Sequence, residues 1–226
     1  MKGKETRYAK LYMVSDVLVS LFLVNIYWTI CNVPIIFLVL SFFFAKEPNP
    51  VILFPLFIFF LPILFFPSFQ ALVCSMRDIV LNRPSTGSVK RFFFYVKENY
   101  LESVGMGIFI TVAGSFLIRL LMMTGLKNVL LSTILFIILL YVVMFALQFF
   151  PLAAHFSMSF VWKLKQTWRL TFAKPIYAIS SLLLTVLLVW VSWKVFPPLL
   201  VLLTASAAAY LLFFLFYFEY NQLKNK

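Results

Sequence analysis

Four amides stand out as polar side chains set inside apolar runs: Asn25, Asn32, Gln70 and Gln148. Asn25 and Asn32 are seven residues apart, so on a helix they share one face, and that face must look inward. Two chemistries suit neutral amides at membrane depth: hydrogen bonding between helices, or lining for a polar, sugar-like solute. The apparatus of catalysis is missing around them. The chain has no GxxxxGK[ST] phosphate loop and no GxSxG nucleophile turn. Its one histidine, His155, has no cysteine or second histidine beside it to build a zinc site. Asp16, Asp78, Glu102 and Glu219 fall at the ends of apolar runs and Glu5, Glu47 and Glu98 outside them. No charge relay of the kind proton-coupled pumps keep at depth is therefore expected. The sequence assigns no catalytic, cofactor-binding or metal-ligating residue, and the expectation is a protein that is not an enzyme.

The elements that must position these amides follow from composition. Of 226 residues, 64% are hydrophobic and 12% charged, more apolar surface than a soluble domain of this length can hide. The pattern predicts an all-α fold: a single integral membrane domain over 1–226, a polytopic transmembrane bundle of six helices with amphipathic cytoplasmic connectors. The spans fall at about 17–44, 51–74, 101–123, 129–154, 175–195 and 199–218. The first is too long for a signal peptide and is expected to be retained, bent near Asn32 and Pro34. The second carries Pro55, Pro62 and Pro67; the carbonyls these free must be answered, which predicts a helix packed within the bundle. Ser103, Gly107 and Gly114 in the third would let another helix approach closely. Arg119 is placed to snorkel outward, and Cys31 and Cys74 read as small buried hydrophobes.

The net charge of +12 reports topology, since no motif for nucleic acid is present and the cations flank the spans. With the amino terminus inside, fifteen Lys and Arg fall on the cytoplasmic side and four outside. This positive-inside asymmetry predicts a multi-pass cell-membrane protein with both termini cytoplasmic. The longest polar break, Arg77 to Glu102, holds a helix starting at Ser88, with Val89, Phe92, Phe93, Val96 and Tyr100 as its apolar stripe. Lys90, Arg91 and Lys97 stand beside the stripe, a pattern suited to anionic lipid headgroups. With Phe93 and Lys174 they form the candidate cytoplasmic interface. A second basic connector follows the fourth span. Phe65-Phe66-Pro67 recurs as Phe149-Phe150-Pro151, an echo that either marks a parallel repeat or arises by chance in a chain rich in phenylalanine.

Asn25-Ile-Tyr-Trp28 with Asn32-Val-Pro34, Pro67-Ser-Phe-Gln-Ala71 running into Met76-Arg77, and Phe93-Phe-Tyr-Val-Lys-Glu-Asn-Tyr100 together resemble the YesL-like family of small bacterial membrane proteins. The match covers about residues 20 to 105, and its most specific part is the connector. The Gly-Pro-Ala-Thr turn of that family is here Phe66-Pro67-Ser68-Phe69. The resemblance implies an accessory integral membrane subunit that works with an ABC transporter permease and its ATPase, often in complex-carbohydrate uptake, and it implies no catalytic residues. The alternative is a self-contained small carrier or channel for a polar solute, using the four amides.

Overall fold

The computed structural model describes residues 2–83, 87–125, 128–196 and 198–224, with side chains over 15–83, 87–125, 128–196 and 198–223. The side chains of Lys2, Lys4, Arg7, Lys10 and Lys224, and residues Lys127, Pro197 and Lys226, on which part of the expected topology rests, lie outside the described set. Over the described residues the fold is all-α. Its order is α1 (Lys2–Cys31), α2 (Val33–Phe44), α3 (Pro50–Phe60), α4 (Phe66–Val80), α5 (Val89–Glu98), α6 (Tyr100–Thr124), α7 (Val129–His155), α8 (Phe160–Ala173), α9 (Pro175–Val195) and α10 (Ala205–Lys224). Wider π turns at Leu61–Phe65 and Leu200–Thr204 lead into α4 and α10. Five helical segments are long and apolar enough to cross a membrane, or six if the bent pair α1–α2 is one span.

The expected bend is sharp. α1 and α2 meet at 72° around Asn32, where Pro34 lacks the backbone donor that would continue the ladder. Asn32 holds the corner: its Nδ2 donates to Trp28 O and to Ser68 Oγ, both at 2.8 Å. The third and fourth elements form one long helix to Val80, six residues past the predicted end at Cys74. The arginine and aspartate that mark the start of the polar break are therefore still helical.

The expectation that this proline-rich helix is packed within the bundle holds for half of it. α4 is buried along most of its length, whereas α3 has no buried residue. The difference follows from side-chain size. α3 is nearly all large aliphatic and aromatic residues with no small side chain to admit a neighbour, whereas α4 carries Ser68, Ala71, Cys74 and Ser75 on its packed faces. The π turn between them is met by α6 at Gly107, where a Cβ would lie 2.6 Å from the Phe66 ring. Of the small residues expected to admit a helix, Ser103 and Gly107 are buried, while Gly114 faces open space.

The core lies where α4, α7 and α10 converge, around Leu72, Met76, Phe149, Phe150, Leu152 and Phe213. The two Phe-Phe-Pro words meet there: Phe66 stacks on Phe150 at 5.8 Å and 11°, and Phe69 meets Phe150 edge-on. The last break is answered from far away in sequence. Asn25 Nδ2 donates to Val201 O in the second π turn, and Ser206 N donates to Asn25 Oδ1 at 2.8 Å. One buried amide thereby satisfies both a carbonyl and an amide proton that the π turn leaves open.

Candidate functional site

The end of the bundle where α4 and α7 finish carries both connectors, α5 and α8, and most of the buried charge. On α4, Asp78 is 1% exposed. A carboxylate so placed must gather donors or stay neutral. Arg77 reaches its Oδ1 through Nη2 at 3.0 Å and Nε at 3.1 Å, and Arg83 stands 3.5 Å from the same oxygen. Its Oδ2 is taken by Arg91 Nε at 3.0 Å and by the Tyr95 hydroxyl, which donates at 2.5 Å. Arg91 sits four residues before Tyr95 on α5, so one helical turn presents both to the same carboxylate. The Tyr95 hydroxyl also accepts from Arg91 Nε at 2.8 Å and from Arg77 Nη2 at 3.1 Å.

Burial and the bond to Asp78 push the Tyr95 phenol above its ordinary value, and the bond to Tyr95 does the same for the Arg91 guanidinium. Both groups therefore hold the protonation states the cluster needs: a neutral donor and a cation. Arg77 has a further duty. Its Nη1 donates to Ala154 O near the end of α7, where helix carbonyls lack partners and carry negative charge. One guanidinium thus ties α4, α5 and α7 together.

α8 is anchored by the reverse arrangement. Lys163 is 4% exposed and its Nζ donates to Glu102 Oε2 at the start of α6, itself one-third exposed. Thr167 and Thr171 continue the buried face of α8, each bonded to the carbonyl one turn back. Chemically, the two clusters hold helices in place. Among the described residues no three His, Cys, Asp or Glu side chains gather as a metal site would need.

The predicted site residues scatter. Asn25, Asn32, Gln70 and Gln148 are all buried. Asn25 bonds the π turn before α10, Asn32 bonds Trp28 and Ser68, and Gln70 Nε2 lies 3.7 Å from Cys74 Sγ on its own helix. Among the described residues no hydrogen bond joins two of the four. Asn32 Oδ1 and Gln70 Oε1 are buried without a partner.

Of the interface residues, Lys90, Phe93 and Lys97 are exposed on α5. Lys174 is half-buried at the α8–α9 junction, its ammonium 5.5 Å over the Tyr177 ring. Arg91 is half-buried and turns its Nε toward Asp78 Oδ2, a charge-assisted contact with a buried carboxylate. Only part of the expected stripe packs on the bundle. Phe92 and Tyr95 are the buried residues of α5, while Val89 and Phe93 face out. Sequence reasoning missed Asp78 and Tyr95. The signal available was Arg77-Asp78 on a helix end followed by Arg91 and Tyr95 at i, i+4.

The fold and its apolar helices define an all-α membrane protein. Residues 21–119 match the family model described as Protein of unknown function, DUF624, which fits the YesL-like resemblance and spans α4, α5 and most of the charged clamp. No curated protein and no solved structure matches the chain.

Proposed function

We propose that the chain is a non-catalytic accessory integral membrane subunit of a bacterial ABC-type transporter, one serving complex-carbohydrate uptake. It resides in the cell membrane with both termini cytoplasmic, so that α5 and α8 lie on the cytoplasmic face. The observation that carries the reading is the state of α5. Its inner face, Phe92 and Tyr95, is locked to the bundle through Asp78, while Lys90, Phe93, Phe94 and Lys97 remain exposed as a fixed basic and aromatic ledge. A rigid ledge of this chemistry suits docking to a permease or its ATPase at the level of anionic headgroups, because its ordering cost is already met before association. The permease and ATPase as partners, and carbohydrate as cargo, come from the YesL-like resemblance.

The test is a mild-detergent pull-down of the tagged chain from its native membrane with mass spectrometry of what accompanies it. Co-recovery of a permease and its ATPase, lost with Lys90→Glu/Lys97→Glu, is the expected result. Recovery of the folded chain alone overturns it. The self-contained carrier draws on one observation, the unpartnered acceptors Asn32 Oδ1 and Gln70 Oε1. It predicts solute uptake into liposomes by the chain alone, abolished by Asn32→Leu.

A further inference from the structure

Glu219 is the anomaly the clamp does not use. It lies on α10, is 1% exposed, and neither carboxylate oxygen has a hydrogen-bond partner. Asp78, equally buried, has three arginines and a tyrosine. An isolated buried carboxylate is costly in either protonation state, since the acid form still owes its proton an acceptor. Glu219 also lines a cavity of about 340 Å³ between α8 and α10. The other walls are chemically particular: Phe156, Trp162 and Tyr220 supply rings, and Gln166 an amide. Phe156 meets Trp162 edge-on at 5.4 Å and Tyr220 edge-on at 5.7 Å, so the three rings form one continuous wall. His155 packs against Tyr220 at 5.0 Å behind it. Lys174 is held over the Tyr177 ring, with its ammonium 5.5 Å from the ring centre.

Contiguous aromatic rings lining a pocket with a carboxylate beside them are the recognition chemistry of an ammonium group. The rings attract the cation through their quadrupoles, and the buried Glu219 carboxylate supplies the countercharge. A volume of about 340 Å³ is at the small end of ligand cavities. We propose that the Glu219 cavity binds an ammonium group, carried by a small organic cation or by an amine-bearing lipid headgroup. The site is separate from the ledge on α5, and the proposal does not rest on the transporter reading.

The test uses the full chain in phosphatidylglycerol nanodiscs and radiolabelled tetramethylammonium, measured by scintillation proximity. The expected result is saturable binding displaced by ethylammonium and not by sodium at equal ionic strength. It should weaken about tenfold or more in Glu219→Gln and about threefold in Trp162→Leu. Nanodiscs containing phosphatidylethanolamine separate the two sources. Loss of tetramethylammonium binding there assigns the site to a lipid headgroup, and unchanged binding assigns it to a free solute. Glu219→Asp, with the carboxylate kept, should bind more tightly than Glu219→Gln and so separates charge from a packing defect. Absence of saturable binding to the folded wild-type chain overturns the proposal, as does binding to Glu219→Gln at wild-type affinity.

Discussion

α5 and α8 follow the same Phe-Phe-Pro word, lie at the same end of the bundle, and are both basic amphipathic helices, yet opposite charges anchor them. Under α5 the deeply buried member is an anion, Asp78, and three arginines with one tyrosine share it. Under α8 the buried member is a cation, Lys163, and one carboxylate, Glu102, answers it from a wetter position. The first arrangement is redundant on its cationic side and has a single point of failure at the carboxylate. The second fails when its more exposed partner is removed, because that strands a buried ammonium. Which residue matters at each connector is therefore set by burial and by the number of partners, not by the sign of the connector's net charge.

The largest expected effect is at Asp78. Asp78→Asn leaves Arg77, Arg83 and Arg91 crowded without an anion and puts an amide donor in place of one of the two acceptor oxygens, and should cost about 3 kcal/mol. The readout is labelling of the buried Cys74 thiol by a maleimide in mild detergent, on a Cys31→Ser background, as temperature is raised. Labelling at the wild-type temperature would remove the clamp from the stability of the fold. Glu102→Gln comes next, at about 2 kcal/mol, because Lys163 has little water to turn to. Lys163→Met should cost less, under about 1 kcal/mol, since Glu102 can hydrate and methionine fills the space. If Lys163→Met proved more damaging than Glu102→Gln in the same assay, the comparison would be inverted.

Tyr95 sharpens the contrast through pH. Its folded value is raised by burial and by donation to Asp78, so the folded state favours the neutral phenol. That stabilisation is complete below the ordinary tyrosine value of about 10 and is lost as pH rises from there through the folded value. Wild-type melting should therefore fall on the alkaline side more steeply than that of Tyr95→Phe, which itself should cost about 1 kcal/mol at neutral pH. Parallel alkaline slopes for the two proteins would show that Tyr95 is not the titrating group.

How much of this the chain revealed in advance depends on the range of the interaction. Long helices were legible because some twenty apolar residues have one stable arrangement in hydrocarbon; helices lie at Pro175–Val195, Tyr100–Thr124 and Val129–His155, where the apolar runs at 175–195, 101–123 and 129–154 placed them. The α5 helix was legible from its spacing and begins at Val89, one residue after the expected Ser88, which stands at its N-cap position. Its buried face was not. Apolar spacing gives Val89 and Phe93 the same weight as Phe92, and a carboxylate eleven or more residues upstream decides between them. Asp78 was legible only as a charge near the end of an apolar run, since depth in the bundle is a property of neighbours that α4 acquires by extending to Val80. Asn25 was correctly read as inward-facing, but its partners, Val201 and Ser206, are more than 170 residues away and no local rule names them.

The smallest effect on stability belongs to the outer face of α5, and it is the one that separates anchoring from docking. Lys90 and Lys97 are exposed and outside the Asp78 cluster, unlike Arg91. Lys90→Glu/Lys97→Glu should leave Cys74 labelling unchanged, because nothing buried is stranded and solvent screens the new charges. The same change reverses the field that the ledge presents, so recovery of partners, and retention on phosphatidylglycerol vesicles relative to neutral ones, should fall. Arg91→Glu forms the counterpart: it strikes the anchor and should lower the labelling temperature before any partner is considered. If the two variants behaved alike in both assays, the inner and outer faces of α5 would not be the separate devices that their burial and bonding indicate.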